Sequence, residues 1–512
     1  MRFFIYILVL FTTQLSSAQI IPIHDYWNRE IERHQLKNAK GFSTSYKPLL
    51  QSQTDFKKFD SQRVDSAIYY WNINRILFRD HWLTYQKENV HIMADPWVDF
   101  SYFKDPLNRD YNQKVSRQYN NSRGIWIQGN IGNSFSFHTA FSENQSIFPF
   151  YMSAISDSLE VIPGWGRFKA FKKYGYDYAV SNSSIQIEPH SKLQISLSYG
   201  KQFIGSGYRS ILLSDAAMSY PFASIRYSGK WFTYLSSAAL LQEQERLPLG
   251  STSESLFKRK MGTWNFLIVT PLPNIEVGFL ESVLYEIWTP QGRKSPHYSS
   301  YIPVIGARSF LSDQNTASTL YGLNLKWNAF HQFTLYGQYG WLNNKTKSYG
   351  IQSGILYSNF LIKNLDIRIE YNSTSAFMYS SAQDLLSYTQ QQQALGHPAG
   401  GDMQEWSVRV DYTRKRFLFH GDIHQINQTL SNGADPYQQS FFIGSSGSRS
   451  MLQWQLKAGC LINPKVHLCF WLGYTQRNDI RKMSAISEES KFNASLFTIN
   501  LSSTLNSQYF DF

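Results

Sequence analysis

Apolar and polar residues alternate one by one over long parts of this chain. Tyr321, Leu323, Leu325 and Trp327 interleave with Gly322, Asn324, Lys326 and Asn328. Successive side chains of a strand point to opposite faces, so this period predicts a strand and not a helix. The same pattern sets Leu193, Ile195, Leu197 and Tyr199 against Gln194, Ser196 and Ser198, and Leu365, Ile367, Ile369 and Tyr371 against Asp366, Arg368 and Glu370. It also sets Trp406, Val408, Val410 and Tyr412 against Ser407, Arg409, Asp411 and Thr413. Trp and Tyr recur at the ends of these apolar stripes, where a membrane barrel carries aromatic girdles and a soluble β-sandwich has no need of them.

Along the chain the pattern predicts strands near 90–104, 123–132, 133–143, 176–187, 191–203, 221–229, 230–241, 260–271 and 273–286. It continues at 317–329, 331–343, 346–360, 363–374, 404–414, 416–428, 447–461, 465–476 and 493–505. That makes about 18 strands, and bacterial single-chain barrels have even strand numbers. The connections alternate too. Gly132 with Asn133, Glu188 to His190, Gly229, Pro271 to Pro273, and Ala329 with Phe330 make tight turns. By contrast 144–175, 204–220, 242–259, 287–316, 375–403, 429–446 and 477–492 are long; only the connection near 344 is short where a long one is expected. Short periplasmic turns and long external loops predict an all-β fold, a transmembrane antiparallel β-barrel with a small N-terminal helical region.

Composition refines the two ends. Residues 1–18 hold Arg2, an apolar run from Phe3 to Phe11, and then Ser16, Ser17 and Ala18, which predicts a secretory signal peptide and export to the cell outer membrane. Residues 19–89 read as an N-terminal periplasmic helical region: charged and amide residues crowd 24–40, and Val64, Ala67, Ile68 and Trp71 recur at helical spacing. Residues 90–512 are the expected barrel. Mean hydropathy is −0.36 and no later stretch is apolar for about 18 residues, which excludes a helical membrane protein but not a barrel. The segment Tyr509, Phe510, Asp511 and Phe512 supplies the closing aromatic of many such barrels, but it is out of phase with Phe497, Ile499 and Leu501, so a bulge or extra segment is expected between them. Cys460 and Cys469 flank a turn but fall on opposite faces, which predicts two free thiols.

Two stretches carry a family resemblance. Tyr199-Gly200-Lys201-Gln202-Phe203 with Gly205, Gly207, Tyr208, Arg209 and Leu212 to Asp215 resembles the capsule assembly family called Wzi. Leu395-Gly396-His397-Pro398 with Gly400, Gly401 and Asp402 looks like that family's glycine-rich loop before a late strand. The resemblance implies an 18-stranded outer-membrane barrel, a helical bundle at its periplasmic end, and a lectin-like role in holding capsular polysaccharide or exopolysaccharide at the cell surface. It extends to the gliding-associated surface proteins of Bacteroidota, which implies a second reading as an accessory of gliding or surface adhesin secretion.

Candidate chemistry is sparse. His420, Asp422 and His424 share one strand face about 7 Å apart, too far for three ligands of one metal, so they read as a lumenal polar row. Asp366, Arg368 and Glu370 beside Arg409 and Asp411 read as a ladder of paired charges, since an intervening Arg neutralises carboxylates that would otherwise divide acid and base roles. Gly444-Ser445-Ser446-Gly447 and Gly205-Ser206-Gly207 lack the nucleophile-elbow spacing, and His24 to His34 lacks H-E-x-x-H. No enzyme, cofactor or metal is expected. The net charge of +12 favours anionic partners, namely acidic surface polysaccharide, outer-membrane lipid and lipopolysaccharide; no nucleic-acid motif is present.

Binding is expected where cations interleave with aromatics, because rings stack on sugar faces and cations meet carboxylates. Trp165, Arg167, Lys169, Lys172, Lys173 and Tyr174 form one such group, and Arg293, Lys294, His297, Tyr298 and Tyr301 another. Arg209, inside the first motif, reads as a structural or ligand-contacting arginine. A porin-like channel is the competing expectation, since a barrel of this strand number is wide enough for an aqueous pore.

Overall fold

The computed structural model describes residues 20–38, 43–50, 71–115, 117–246, 257–289, 292–311, 317–343, 348–381, 383–430, 447–483, 489–503 and 509–512. The expected signal peptide and the helical spacing at Val64, Ala67 and Ile68 lie outside them. Among the described residues, 18 strands close into one antiparallel barrel. They are β1 (Val90–Lys104), β2 (Gln118–Ile131), β3 (Phe135–Ile147), β4 (Gly175–His190), β5 (Leu193–Gly200), β6 (Tyr220–Ser228), β7 (Phe232–Arg246), β8 (Phe257–Leu272) and β9 (Ile275–Glu286). The circuit continues with β10 (Ala317–Ala329), β11 (Phe333–Asn343), β12 (Tyr349–Ser358), β13 (Leu365–Thr374), β14 (Met403–Arg414), β15 (Phe417–Leu430), β16 (Gly447–Asn463), β17 (Leu468–Met483) and β18 (Ala494–Ser503).

Each strand pairs with its sequence neighbour, and β18 closes on β1 from Phe497 opposite Lys104 to Ser502 opposite Asp99. Closure leaves no edge to aggregate. Every expected strand corresponds to an observed one. The main shifts lie toward the long connections: β2 begins at Gln118, not 123, because Gln118 to Ser122 continue the ladder with β1. Apart from Tyr119 that stretch is polar, so it shows no alternation.

Turns and long connections segregate to opposite ends. At the tight turn between β10 and β11, Phe330 and His331 both adopt positive φ, as a primed hairpin turn requires. The outward face is apolar and bare, with Leu197 64% and Leu456 59% exposed, which suits lipid and not water.

The lumen is filled from both ends. Helix α1 (Asp25–Asn38) lies inside the tight-turn end, where Tyr26 and Trp27 pack on the His467 ring at 4.2 and 5.2 Å and His331 Nδ1 meets the Leu36 carbonyl at 3.3 Å. Helix α2 (Asn72–Phe78) sits at the same end, held by Asn463, whose amide donates to the Ile76 and Asp80 carbonyls. From the other end the connection between β5 and β6 folds inward, and helix α3 (Arg109–Lys114) stands beside α4 (Phe150–Leu159), which buries Tyr151, Ile155 and Leu159. Residues 509–512 are also inside the barrel, so Phe512 does not stand on the lipid face that a closing aromatic would occupy. Cys469 lies opposite Leu461 and not Cys460, and both thiols are free.

Candidate functional site

The two motif stretches, far apart in sequence, meet in the lumen. Ser214 N donates to the Leu395 carbonyl at 2.6 Å, and the Tyr379 hydroxyl donates to the Ile211 carbonyl while accepting from His397 N. Gly396 is glycine because a Cβ there would stand 2.5 Å from the Tyr379 ring; at Gly205 it would stand 2.5 Å from Gln338 Nε2, and at Gly207 2.4 Å from Glu370 Oε2. Gly200 ends β5, and Asp402, at positive φ, opens β14. Glu405 joins the stretches: it takes His397 Nε2 at 2.7 Å, His424 Nδ1 at 3.2 Å and Arg209 Nη2 at 3.4 Å. Arg209 is buried and also pairs with Asp511 at 3.0 Å. Arg477 binds the Phe510 and Phe512 backbone oxygens, and Tyr509 donates to Asp215. The motif residues are thus the inner packing of the barrel.

A seam of ion pairs ties α1 to the wall. Arg29 bridges Asp25 and Asp411 at 3.1 Å each, Arg409 reaches Asp25 at 3.1 Å, Arg368 reaches Glu32 at 2.8 Å, and Arg33 pairs with Asp366 and Glu30. The expected ladder of Asp366, Arg368, Glu370, Arg409 and Asp411 does not pair strand to strand: Asp366 stands opposite Asp411 and Arg368 opposite Arg409, α1 supplies their opposite charges, and Glu370 accepts from the Tyr208 and Arg209 backbone. Burial alone would raise the Asp25 pKa, but Arg409 and Arg29 outweigh it and hold the carboxyl well below its ordinary value. Burial lowers Lys201 to about 8. His420, Asp422 and His424 line the lumen as a polar row in which His420 Nε2 bonds Asp422 at 2.6 Å and His424 Nε2 stands 3.7 Å from it, and no group of metal-ligand geometry occurs among the described residues.

Beside the seam a cavity of about 330 Å³ remains between α1, the inner faces of β1 and β14–β18, and the tail at 509–512. Lys457 projects into it without an ion pair or hydrogen bond among the described residues.

The first expected binding group divides. Trp165 is 8% exposed, packed on Trp97 and Tyr178 inside the barrel. Arg167, Lys169, Lys172 and Lys173 stay exposed on the β3–β4 connection; Arg167 lies over the Phe257 ring at 4.1 Å, and Lys173 lies beside Tyr174 at 5.3 Å. The second group divides too. Lys294 is exposed, the backbone of Arg293 pairs with Trp288, and its side chain lies outside the described residues. Tyr298 is 63% exposed, on a segment laid against the outer wall of β7–β9. Aromatic–cation spacing alone does not distinguish a ring that closes the lumen from one on the surface.

No family model matches this chain, and no curated protein matches it. Among solved structures, Wzi of Escherichia coli, an outer-membrane protein involved in group 1 capsule assembly and described as a carbohydrate-binding β-barrel, superposes with a TM-score of 0.60 at 12% identity. The match covers 95% of this chain and 100% of that one. The outer-membrane protein OprD of Pseudomonas aeruginosa gives a TM-score of 0.43 at 11% identity, over 83% of this chain and 96% of that one. OccAB2 of Acinetobacter baumannii gives 0.45 at 9%, over 81% and 97%. In fold, the chain is similar to Wzi: a closed, 18-stranded outer-membrane β-barrel.

Proposed function

We propose that this protein is a non-enzymatic outer-membrane barrel that binds and organises acidic polysaccharide at the cell surface. The observation that carries the reading is full-length likeness to a carbohydrate-binding barrel, combined with a lumen occupied by the chain's own helix, loops and tail. A filled lumen disfavours the porin-like alternative. The polymer would meet the exposed face of the β3–β4 connection, where Arg167, Lys169, Lys172 and Lys173 surround Phe171 and Tyr174. Lys294 adds a cation from a second long connection. Each contact is weak, and a repeating polymer multiplies them.

Detergent-purified protein is expected to be retained on immobilised acidic polysaccharide at low salt and released as ionic strength rises. Replacing Lys169, Lys172 and Lys173 together by Gln weakens retention. Failure to bind any acidic polysaccharide at low salt overturns the reading, as does planar-bilayer conductance of open-pore size.

A further inference from the structure

The outer wall of the barrel carries a buried carboxylate on β9. On β7–β9 the outward positions include Ser236, Asn265 and Glu281, with Asn265 donating to Glu281 Oε2 at 3.2 Å. A carboxylate and an amide facing acyl chains would be costly. They do not face them: Asn265 and Glu281 are fully buried, under residues 297–311 of the β9–β10 connection.

This segment descends along the wall. Near the long-connection end, Tyr285 meets the Ser299 hydroxyl at 3.2 Å; lower down, the Tyr234 hydroxyl donates to the Pro303 carbonyl at 3.0 Å. Tyr234 is two residues in from the tight-turn end of β7, so the segment covers much of the height of the apolar band. It then turns back, with Arg308 Nη2 on Ser236 Oγ at 3.0 Å and both the amide and the hydroxyl of Ser309 on Glu281.

Irregular backbone survives in hydrocarbon only when its polar groups are satisfied within the protein. Those of this segment largely are. A 3₁₀ turn at Tyr298–Tyr301 and helix α5 (Ala307–Leu311) bond internally, Arg308 Nε donates to the Ile302 carbonyl, and Pro303 has no N–H to satisfy. The side turned away from the wall is apolar: Phe310 is 88% exposed, with Tyr298, Tyr301, Val304 and Leu311 beside it. The bare lipid-facing band adjoins it at Phe279 and Leu325.

We infer that residues 297–311 form a membrane-embedded cover, whose inner side seals a polar patch of the wall and whose outer side packs against lipid acyl chains. Tyr298 then belongs to the lipid face and not to the polymer face. The inference rests on the barrel alone and stands apart from polysaccharide binding.

The test places a reporter at the outer side. Full-length Phe310→Trp protein is reconstituted in phosphatidylcholine vesicles with or without bromine on the acyl chains, and again in detergent. Other tryptophans contribute a constant background, removed by subtracting the parent protein. Extra quenching by mid-chain bromine, with little quenching by aqueous acrylamide, is the expected result. Acrylamide quenching without bromine quenching overturns the inference. Val304→Trp serves as a second reporter if the first variant does not assemble. Replacing Ser309 by Ala removes a bond to Glu281, and the reporter is then expected to become more open to acrylamide; no change would show that Glu281 does not hold the cover.

Discussion

The two sides of the lumen solve one problem in opposite ways. Along β6–β11 the inward positions Phe222, Leu235, Trp264, Phe266, Leu280 and Leu320 pack against Leu212, Tyr379 and Tyr388 from the inserted loops, and all are nearly inaccessible. Along β14–β18 and β1 many inward positions carry charge, amide or hydroxyl among apolar ones such as Leu418 and Leu496, and Ser101, Gln455, Lys457, Thr498 and Asn500 keep partial exposure to the cavity. The ion-pair seam of α1, β13 and β14 divides them. A barrel wall can thus be a dry core on one arc and a wet face on the other, because inserted segments, and not the strands alone, decide where water goes.

The largest effects should appear where the lumen is dry or its charges are fully paired. Trp264→Ala removes a fully buried ring and is expected to cost about 3–5 kcal/mol. Arg209→Met leaves Glu405 and Asp511 buried without their shared cation, also about 3–5 kcal/mol. Thermal unfolding in detergent measures both. Only the Arg209 variant should recover in part when Glu405→Gln is added; equal recovery of both would erase the distinction between packing and pairing.

What was legible follows from what the lipid demands. Outward residues must be apolar at every second position, so Leu193 to Tyr199 and Leu365 to Tyr371 declared their strands and their faces. The lumen imposes no such rule, because either a polar or an apolar residue can be covered there. The run Trp264 to Val269 is apolar on both faces apart from Asn265, a signal that both sides of β8 are covered. The role of Gly396 depends on the Tyr379 ring, seventeen residues earlier and reached only through the fold. Trp165 read as a surface ring because its neighbours are cations, yet its own contacts are Trp97 and Tyr178. The phase break before Phe510 was visible, but not that the tail turns inward to Arg477.

At the edge of the wet side the effect becomes pH-dependent. Burial lowers the His24 pKa from 6.5 to about 4; Asp25 opposes the shift, while Arg29, Arg409 and Lys457 reinforce it. Between those values the unfolded chain binds a proton that the folded protein refuses, so stability falls as pH drops from 6.5 toward 4. His24→Gln cannot take up that proton. The melting temperature of the variant is expected to fall less than that of the parent between pH 7 and pH 5; parallel curves would mean that α1 does not exclude water from this ring.

The smallest effect belongs in the cavity itself. Lys457 is inward-facing yet has no bonded partner, so Lys457→Met breaks no pair and fills no packed space. The ammonium faces the cavity with no carboxylate in contact, so losing its charge costs little. The expected change in unfolding free energy is within about 0.5 kcal/mol, as for a surface site. Set against Trp264→Ala, it tests the division directly: a loss from Lys457→Met as large as that from Trp264→Ala would mean that β16 faces a packed interior and that the lumen has one character, not two.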